Sequence, residues 1–134
     1  MSITINILLV DDVENSRELL RAALLACINE YKVEIEANFF HAATGELIPE
    51  QIIQHKINLV YLDIELPHTG GLEVLKQIRQ AKPDIMVVMV SGESSQENVS
   101  TAIKTGANGF IVKPFNSGRI LDSLQNYLKK VKQY

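Results

Sequence analysis

"IMVVMVSG", residues 85–92, runs six apolar residues together and then stops on a hydroxyl and a glycine. The run is too short for a buried helix and leaves no polar face. A strand of this kind is covered on both sides, which is the habit of a parallel sheet sandwiched between helices. The stretch Ile57 to Leu62 has the same character, and it ends on the carboxylate of Asp63. Between the two, Leu72, Val74, Leu75 and Ile78 recur at helical spacing and end at "AKPD". Strand, helix, strand is a right-handed crossover unit, and the rest of the chain extends it in both directions.

Upstream, "ITINILLV" (Ile3 to Val10) is a strand candidate closed by Asp11-Asp12. Leu19, Leu20, Ala23, Leu24, Cys27 and Ile28 then give a helix face, with Glu14, Arg17, Glu18 and Arg21 on the other side. "VEIEANF" (Val33 to Phe39) alternates apolar and polar residues, as a half-exposed strand does. Thr44 to Gln54 reads as helical but carries Pro49, which implies an irregular entry or a start near Pro49 itself. Downstream, Ser94 or Ser95 can cap a helix through Val99, Ala102 and Ile103 that stops at Gly106. A short strand, Phe110 to Val112, meets Lys113-Pro114, and a last helix runs from about Asn116 with Ile120, Leu121, Leu124, Leu128 and Val131 inward. The alternation predicts an α/β fold with one doubly wound five-stranded parallel sheet. The alternating second strand belongs at one edge, the all-apolar third and fourth in the middle, and the short fifth at the other edge. That is the flavodoxin-like order 2-1-3-4-5.

The chain has 134 residues with 46% hydrophobic and 22% charged, an ordinary composition for one folded domain. A formal charge of -3 carries no electrostatic footprint for direct nucleic-acid binding. Lys129, Lys130 and Lys132 sit where cations complement a helix C-terminus. One cysteine, Cys27, excludes an internal disulfide and a cysteine metal site. The absence of a signal-peptide pattern and of a long apolar run predicts a cytoplasmic chain with no membrane association.

In an open sheet of this order the ligand site lies outside the carboxyl ends of the strands, at the switch between the first and third. Those ends are Asp11-Asp12, Asp63, Ser91-Gly92 and Lys113-Pro114; the second strand offers only His41 nearby. Taken singly, Asp11 or Asp12 would serve as a helix cap, Ser91 as a local backbone partner and Lys113 as a solvated turn residue. Together they place carboxylates side by side. Two such charges about 4 Å apart repel by roughly 4 kcal/mol at an effective dielectric near 20. One lysine offsets part of that, and a hard divalent cation such as Mg²⁺ is the natural second contributor. Lysine, hydroxyl and cation suit a phosphoryl group, with the Asp63 carboxylate as nucleophile.

These residues in this order resemble the receiver domain (CheY-like) of two-component response regulators: Asp11-Asp12, "DIELP" at Asp63 to Pro67, Ser91-Gly92 and Lys113-Pro114-Phe115. The resemblance covers essentially the whole chain, 1–134 with a core of about 4–131, and implies a single receiver domain with no output domain. It implies that Asp63 is the phosphoacceptor, served by a histidine kinase or a histidine phosphotransfer protein. Mg²⁺ would be held by Asp11, Asp12, Asp63 and the backbone carbonyl of Glu65. Ser91 would bond a phosphoryl oxygen, Lys113 would neutralise its charge, and the Lys113–Pro114 bond would be cis. Ser91 and Phe110 match the switch positions, and Glu65 and Glu93 stand where the family tunes phosphoryl lifetime. The signal would leave through the face of helix 4, strand 5 and helix 5 to a downstream protein effector. Thr69 and Gly70 depart from the residues the family often carries there, and Ser91 replaces its commoner Thr.

The alternative on the same fold is a phosphorylation-independent interaction module. A haloacid-dehalogenase-like phosphohydrolase needs a second aspartate two residues after the nucleophile, early in the chain, and "DIELP" lacks it. A flavin or dinucleotide binder needs a phosphate-cradling loop after the first strand, where "VDDVENS" places acids instead.

Overall fold

The computed structural model describes residues 2–82, 84–92 and 96–132. Along the chain run β1 (Ile3–Val10), α1 (Glu14–Glu30), β2 (Ile35–Ala42), α2 (Ile48–Gln54) and β3 (Leu59–Asp63). They are followed by α3 (Gly71–Ala81), β4 (Met86–Ser91), α4 (Gln96–Thr105), β5 (Gly109–Val112) and α5 (Ser117–Val131). All four strand pairings are parallel and the order is β2-β1-β3-β4-β5. The predicted topology is the observed one.

Strand alternation explains why the central runs are apolar throughout. Ile5, Ile7 and Leu9 of β1, Leu59 and Tyr61 of β3, and Met86, Val88 and Val90 of β4 point to one face. There they meet Leu20, Leu24 and Cys27 of α1 and Ile120, Leu124 and Tyr127 of α5. The intervening residues Leu8, Val10, Val60, Leu62, Val87 and Met89 point to the other face, against Ile48 and Ile52 of α2, Val74, Leu75 and Ile78 of α3 and Ala102 of α4. The Tyr61 hydroxyl, carried into the first layer, lies 2.7 Å from Ser123 Oγ, so the buried phenol is not left unsatisfied.

Some boundaries and faces differ from the sequence reading. β2 begins at Ile35 and runs on to Ala42, because pairing with the whole length of β1 sets its extent. α2 starts only at Ile48, with Pro49 in the first turn, where its missing N–H is no loss, after Leu47 in a left-handed conformation. Neither Asp11 nor Asp12 caps α1, whose N-cap is Val13 with no side-chain bond. Leu19 does not face the core: it is 57% exposed. The inward stripe of α1 is Leu20, Leu24 and Cys27, and one residue back turns the helix by about 100°, out of that stripe. Ile103 is likewise exposed, leaving Ala102 as the buried residue of α4. The proposed caps Ser94 and Ser95 lie outside the described residues. α4 ends before Gly106 (φ 115°), and α5 is capped by Asn116, whose side chain accepts from the Gly118 and Arg119 N–H groups.

Candidate functional site

Asp11, Asp12, Asp63, Ser91 and Lys113 arrive at the same end of the sheet because each ends, or closely follows, one of the parallel strands β1, β3, β4 and β5. Asp63 is the last residue of β3 and pairs in register with Val90. Ser91 is the last residue of β4. Asp11 follows β1, its N–H bonded to the Ala42 carbonyl at 3.1 Å. Lys113 follows β5, and its N–H donates to the Ser91 carbonyl at 2.8 Å. The Lys113–Pro114 bond is cis. Asp11, Asp63 and Ser91 are buried, whereas Asp12 is exposed at the rim.

The turn behind Asp63 needs both of its glycines. Gly71 donates its N–H to the Ile64 carbonyl at 2.9 Å, and a Cβ there would stand 2.1 Å from the Asp63 carbonyl oxygen. No side chain fits that approach. Gly70 takes φ 76°, in the region that disfavours side chains. The chain thus doubles back tightly enough to start α3 beside the strand it has just left.

Lys113 Nζ lies 2.9 Å from Asp11 Oδ2 and 3.5 Å from Asp63 Oδ2, one ammonium shared by two carboxylates. The two acids respond in opposite directions. Burial pushes Asp11 up, but the Val13 N–H, Lys113 and Ser16 bonds outweigh it and hold its pKa below the ordinary value. Val13 N–H reaches Asp11 Oδ1 at 2.9 Å. Asp63 is pushed up to about 6, chiefly by burial, then by the Asp11 charge and the neighbouring Glu65 side chain. The Glu65 N–H, 3.0 Å from Asp63 Oδ1, and Lys113 only partly offset this. Burial also acts against the Lys113 ammonium, yet Asp11 and Asp63 raise its pKa above the ordinary value. The site therefore holds more negative charge than its own lysine neutralises.

Carboxylate oxygens of Asp11, Asp12 and Asp63 all lie within 4.8 Å of one another. An all-oxygen donor set of this size matches a hard dication with water completing its shell. Ser91 Oγ is 2.8 Å from Glu65 Oε1 and 3.0 Å from Oε2, and the Gly92 N–H donates to Oε1 at 3.1 Å. Phe110 is half-buried on β5 and packs against the layer of α2, α3 and α4. Glu93 lies outside the described residues.

Two residues make contacts that no sequence pattern encodes. Arg17, assigned to the polar face of α1, donates from Nη1 to the Asp11 carbonyl and from Nε to His41 Nδ1 at 3.3 Å. Its spacing from Asp11 carries no signal, because the bond depends on where α1 leaves the sheet. The Glu65 carboxylate on Ser91 and Gly92 joins two loops 26 residues or more apart, so only the fold reveals it.

The family profile described as "Response regulator receiver domain" matches residues 7–125. The chain belongs to the response regulator receiver family. Among relatives, chemotaxis protein CheY of Bacillus subtilis is 34% identical over 122 residues, spanning 91% of this chain and 96% of that protein. Among solved structures, the receiver domain of NtrX from Brucella abortus superposes with a TM-score of 0.76 at 32% identity, covering 92% of this chain and 98% of that one. A receiver domain protein from Clostridium thermocellum has the same fold, with a TM-score of 0.80 at 19% identity over 96% and 97% of the two chains. As a receiver domain of the two-component kind, the chain carries the acidic cluster, the lysine and the strand-end hydroxyl at the carboxyl end of its sheet. Among the described residues no helix is long and apolar enough to cross a membrane.

Proposed function

We propose that Asp63 accepts a phosphoryl group from a phosphohistidine of a histidine kinase or histidine phosphotransfer protein. The observation that carries this reading is one buried carboxylate grouped with two further acids and a lysine at the carboxyl end of the sheet, with the Ser91 hydroxyl at the end of the neighbouring strand. An Asp63 carboxylate oxygen forms the new P–O bond as the donor's P–N bond breaks, and the imidazole takes the electron pair. Asp63 needs no base, since the carboxylate is already ionised above about pH 6.

Asp11, Asp12 and Asp63 would hold Mg²⁺, together with the backbone carbonyl of Glu65. When bound, that ion supplies charge neutralisation and a ligand position for a phosphoryl oxygen. Lys113, already 3.5 Å from Asp63, pairs with a second phosphoryl oxygen. Ser91 Oγ and the Gly92 N–H serve as donors to the third. Because Ser91 and Lys113 are joined through their backbones, drawing Ser91 toward the phosphoryl group acts on β5 and on Phe110.

The output side of the reading is the face of α4, β5 and α5. A groove of about 720 Å³ lies there, lined among others by Val99 of α4, Phe110 and Val112 of β5, and Arg119 and Asp122 of α5. Phe110 lines it, so a change at the switch changes the groove a downstream protein effector meets. The reading places this traffic in the cytoplasm.

The test is intact mass after incubation with acetyl phosphate and Mg²⁺. One hydroxylamine-labile phosphoryl group on the wild type, absent from Asp63→Asn, is the expected result. A folded wild type that stays unmodified yet binds its effector normally points instead to a phosphorylation-independent interaction module.

A further inference from the structure

This inference rests on the phosphoryl-acceptor reading and concerns what stands in the receptor before the phosphoryl group arrives. Ser91 Oγ and the Gly92 N–H are the donors expected to meet a phosphoryl oxygen, and both are turned on an anion that the chain itself provides. Glu65 Oε1 takes the Gly92 N–H at 3.1 Å and stands 2.8 Å from Ser91 Oγ, with Oε2 at 3.0 Å from the same oxygen. A hydroxyl has one proton, so Ser91 shares it between the two carboxylate oxygens. The carboxylate lies beside the backbone of Gly92, with Oε1 3.8 Å from where a Cβ would stand, ordinary van der Waals contact. Glu65 also has its own N–H on Asp63 Oδ1, so the residue that fills the cradle is anchored to the acceptor two residues before it.

We propose that the Glu65 carboxylate is an internal stand-in for a phosphoryl oxygen, which an incoming phosphoryl group must displace from Ser91 and Gly92. The geometry has the chemistry of a competitor: same charge sign, same two donors, same strand end. Glu65 is exposed as a whole, so the displaced carboxylate has water to move into and no buried charge is created. Loading is then an exchange of one anion for another at a fixed pair of donors. The apparent affinity for any phosphoryl-like anion falls to its intrinsic value multiplied by the fraction of molecules in which the cradle is free. The same exchange releases Ser91 from the β3–α3 loop, giving the switch residue two defined partners.

The experiment measures Mg²⁺-dependent binding of beryllofluoride, an unreactive phosphoryl mimic, and the rate of phosphorylation by acetyl phosphate, for wild type and Glu65→Ala, Glu65→Gln and Glu65→Asp. If the cradle is occupied about nine-tenths of the time, Glu65→Ala binds about tenfold more tightly and is phosphorylated about tenfold faster, a difference of about 1.4 kcal/mol. Glu65→Gln keeps an acceptor without the charge and falls between. Glu65→Asp decides the matter, because it keeps the charge on a side chain one methylene shorter, short of Ser91. An aspartate variant as fast as alanine supports displacement. An aspartate variant like wild type, beside a fast alanine variant, overturns it and leaves charge alone as the cause. No gain in Glu65→Ala also overturns it. In amide NMR without ligand, the Gly92 N–H of Glu65→Ala moves upfield on losing its carboxylate partner, and an unmoved signal refutes the contact. A wild type that takes neither beryllofluoride nor phosphoryl while Glu65→Ala takes both supports the stand-in. If no variant takes either, the acceptor reading itself fails and the stand-in with it.

Discussion

Replacing Asp63 by Asn removes a charge that the fold holds at a cost, and the cost has a pH window set by the structure. The carboxyl ordinarily titrates at 3.8 and is pushed up to about 6 here, first by burial. A carboxylate whose folded pKa is raised contributes stability that is full below 3.8 and is lost as pH rises through about 6. At about 1.4 kcal/mol per pH unit, the difference amounts to about 3 kcal/mol, an upper figure because water at the crevice mouth screens the charge. Asp11 does not blur the window: its lowered pKa acts below 3.8, with the opposite sign, adding stability above that pH. Lys113, raised from 10.5, loses its contribution only in strong alkali. The assay is urea unfolding of wild type and Asp63→Asn between pH 4 and 8 with a metal chelator, taking the difference at each pH so that contributions common to both proteins cancel. Asp63→Asn should gain on wild type by up to about 3 kcal/mol across that range, or about 10 °C in thermal midpoint for a chain of this length. A difference that stays flat from pH 4 to 8 refutes the argument that Asp63 is ionised at a cost.

Lys113→Ala leaves Asp11 and Asp63 facing each other without their shared cation. It should lower stability at neutral pH by about 2 kcal/mol and abolish phosphorylation by acetyl phosphate, read by urea unfolding and intact mass. Mg²⁺ at about a hundredfold excess over its Kd should stabilise wild type by about 2.7 kcal/mol in a thermal scan, and Asp11→Ala/Asp12→Ala should lose that gain. Gly71→Ala forces a Cβ to 2.1 Å from the Asp63 carbonyl and should cost about 3 kcal/mol by urea unfolding, with soluble yield reduced. Tyr61→Phe removes the 2.7 Å contact to Ser123, which keeps its bond to the Ile120 carbonyl, so the loss should be small, about 1 kcal/mol.

The topology was readable because burial on both faces writes itself into consecutive residues. In β3 and β4 every position is buried, whereas β2 mixes buried with exposed ones, and that contrast separates the middle of the sheet from its β2 edge, with the short β5 left for the other edge. The crevice was then readable from topology, since Asp11, Asp63, Ser91 and Lys113 are where strands end. Contacts set by the exact path of a loop or the roll of a helix were not. Leu19 satisfies helical spacing as well as Leu20 does, and only the docking of α1 decides that Leu20 goes in. Arg17 and the Glu65 carboxylate find partners across the crevice that no local pattern encodes. The glycine pair was visible as a break, but its reason is the 2.1 Å approach behind Gly71 and the positive φ of Gly70.

The most direct measurement of the central claim locates the modified atom. Protein incubated with acetyl phosphate and Mg²⁺ is reduced with borohydride, which converts an acyl phosphate to an alcohol, and the peptides are mapped by mass. The aspartate at position 63 alone should be converted to homoserine. Conversion at Asp11 or Asp12 instead, or none in a protein that is folded and binds Mg²⁺, contradicts it.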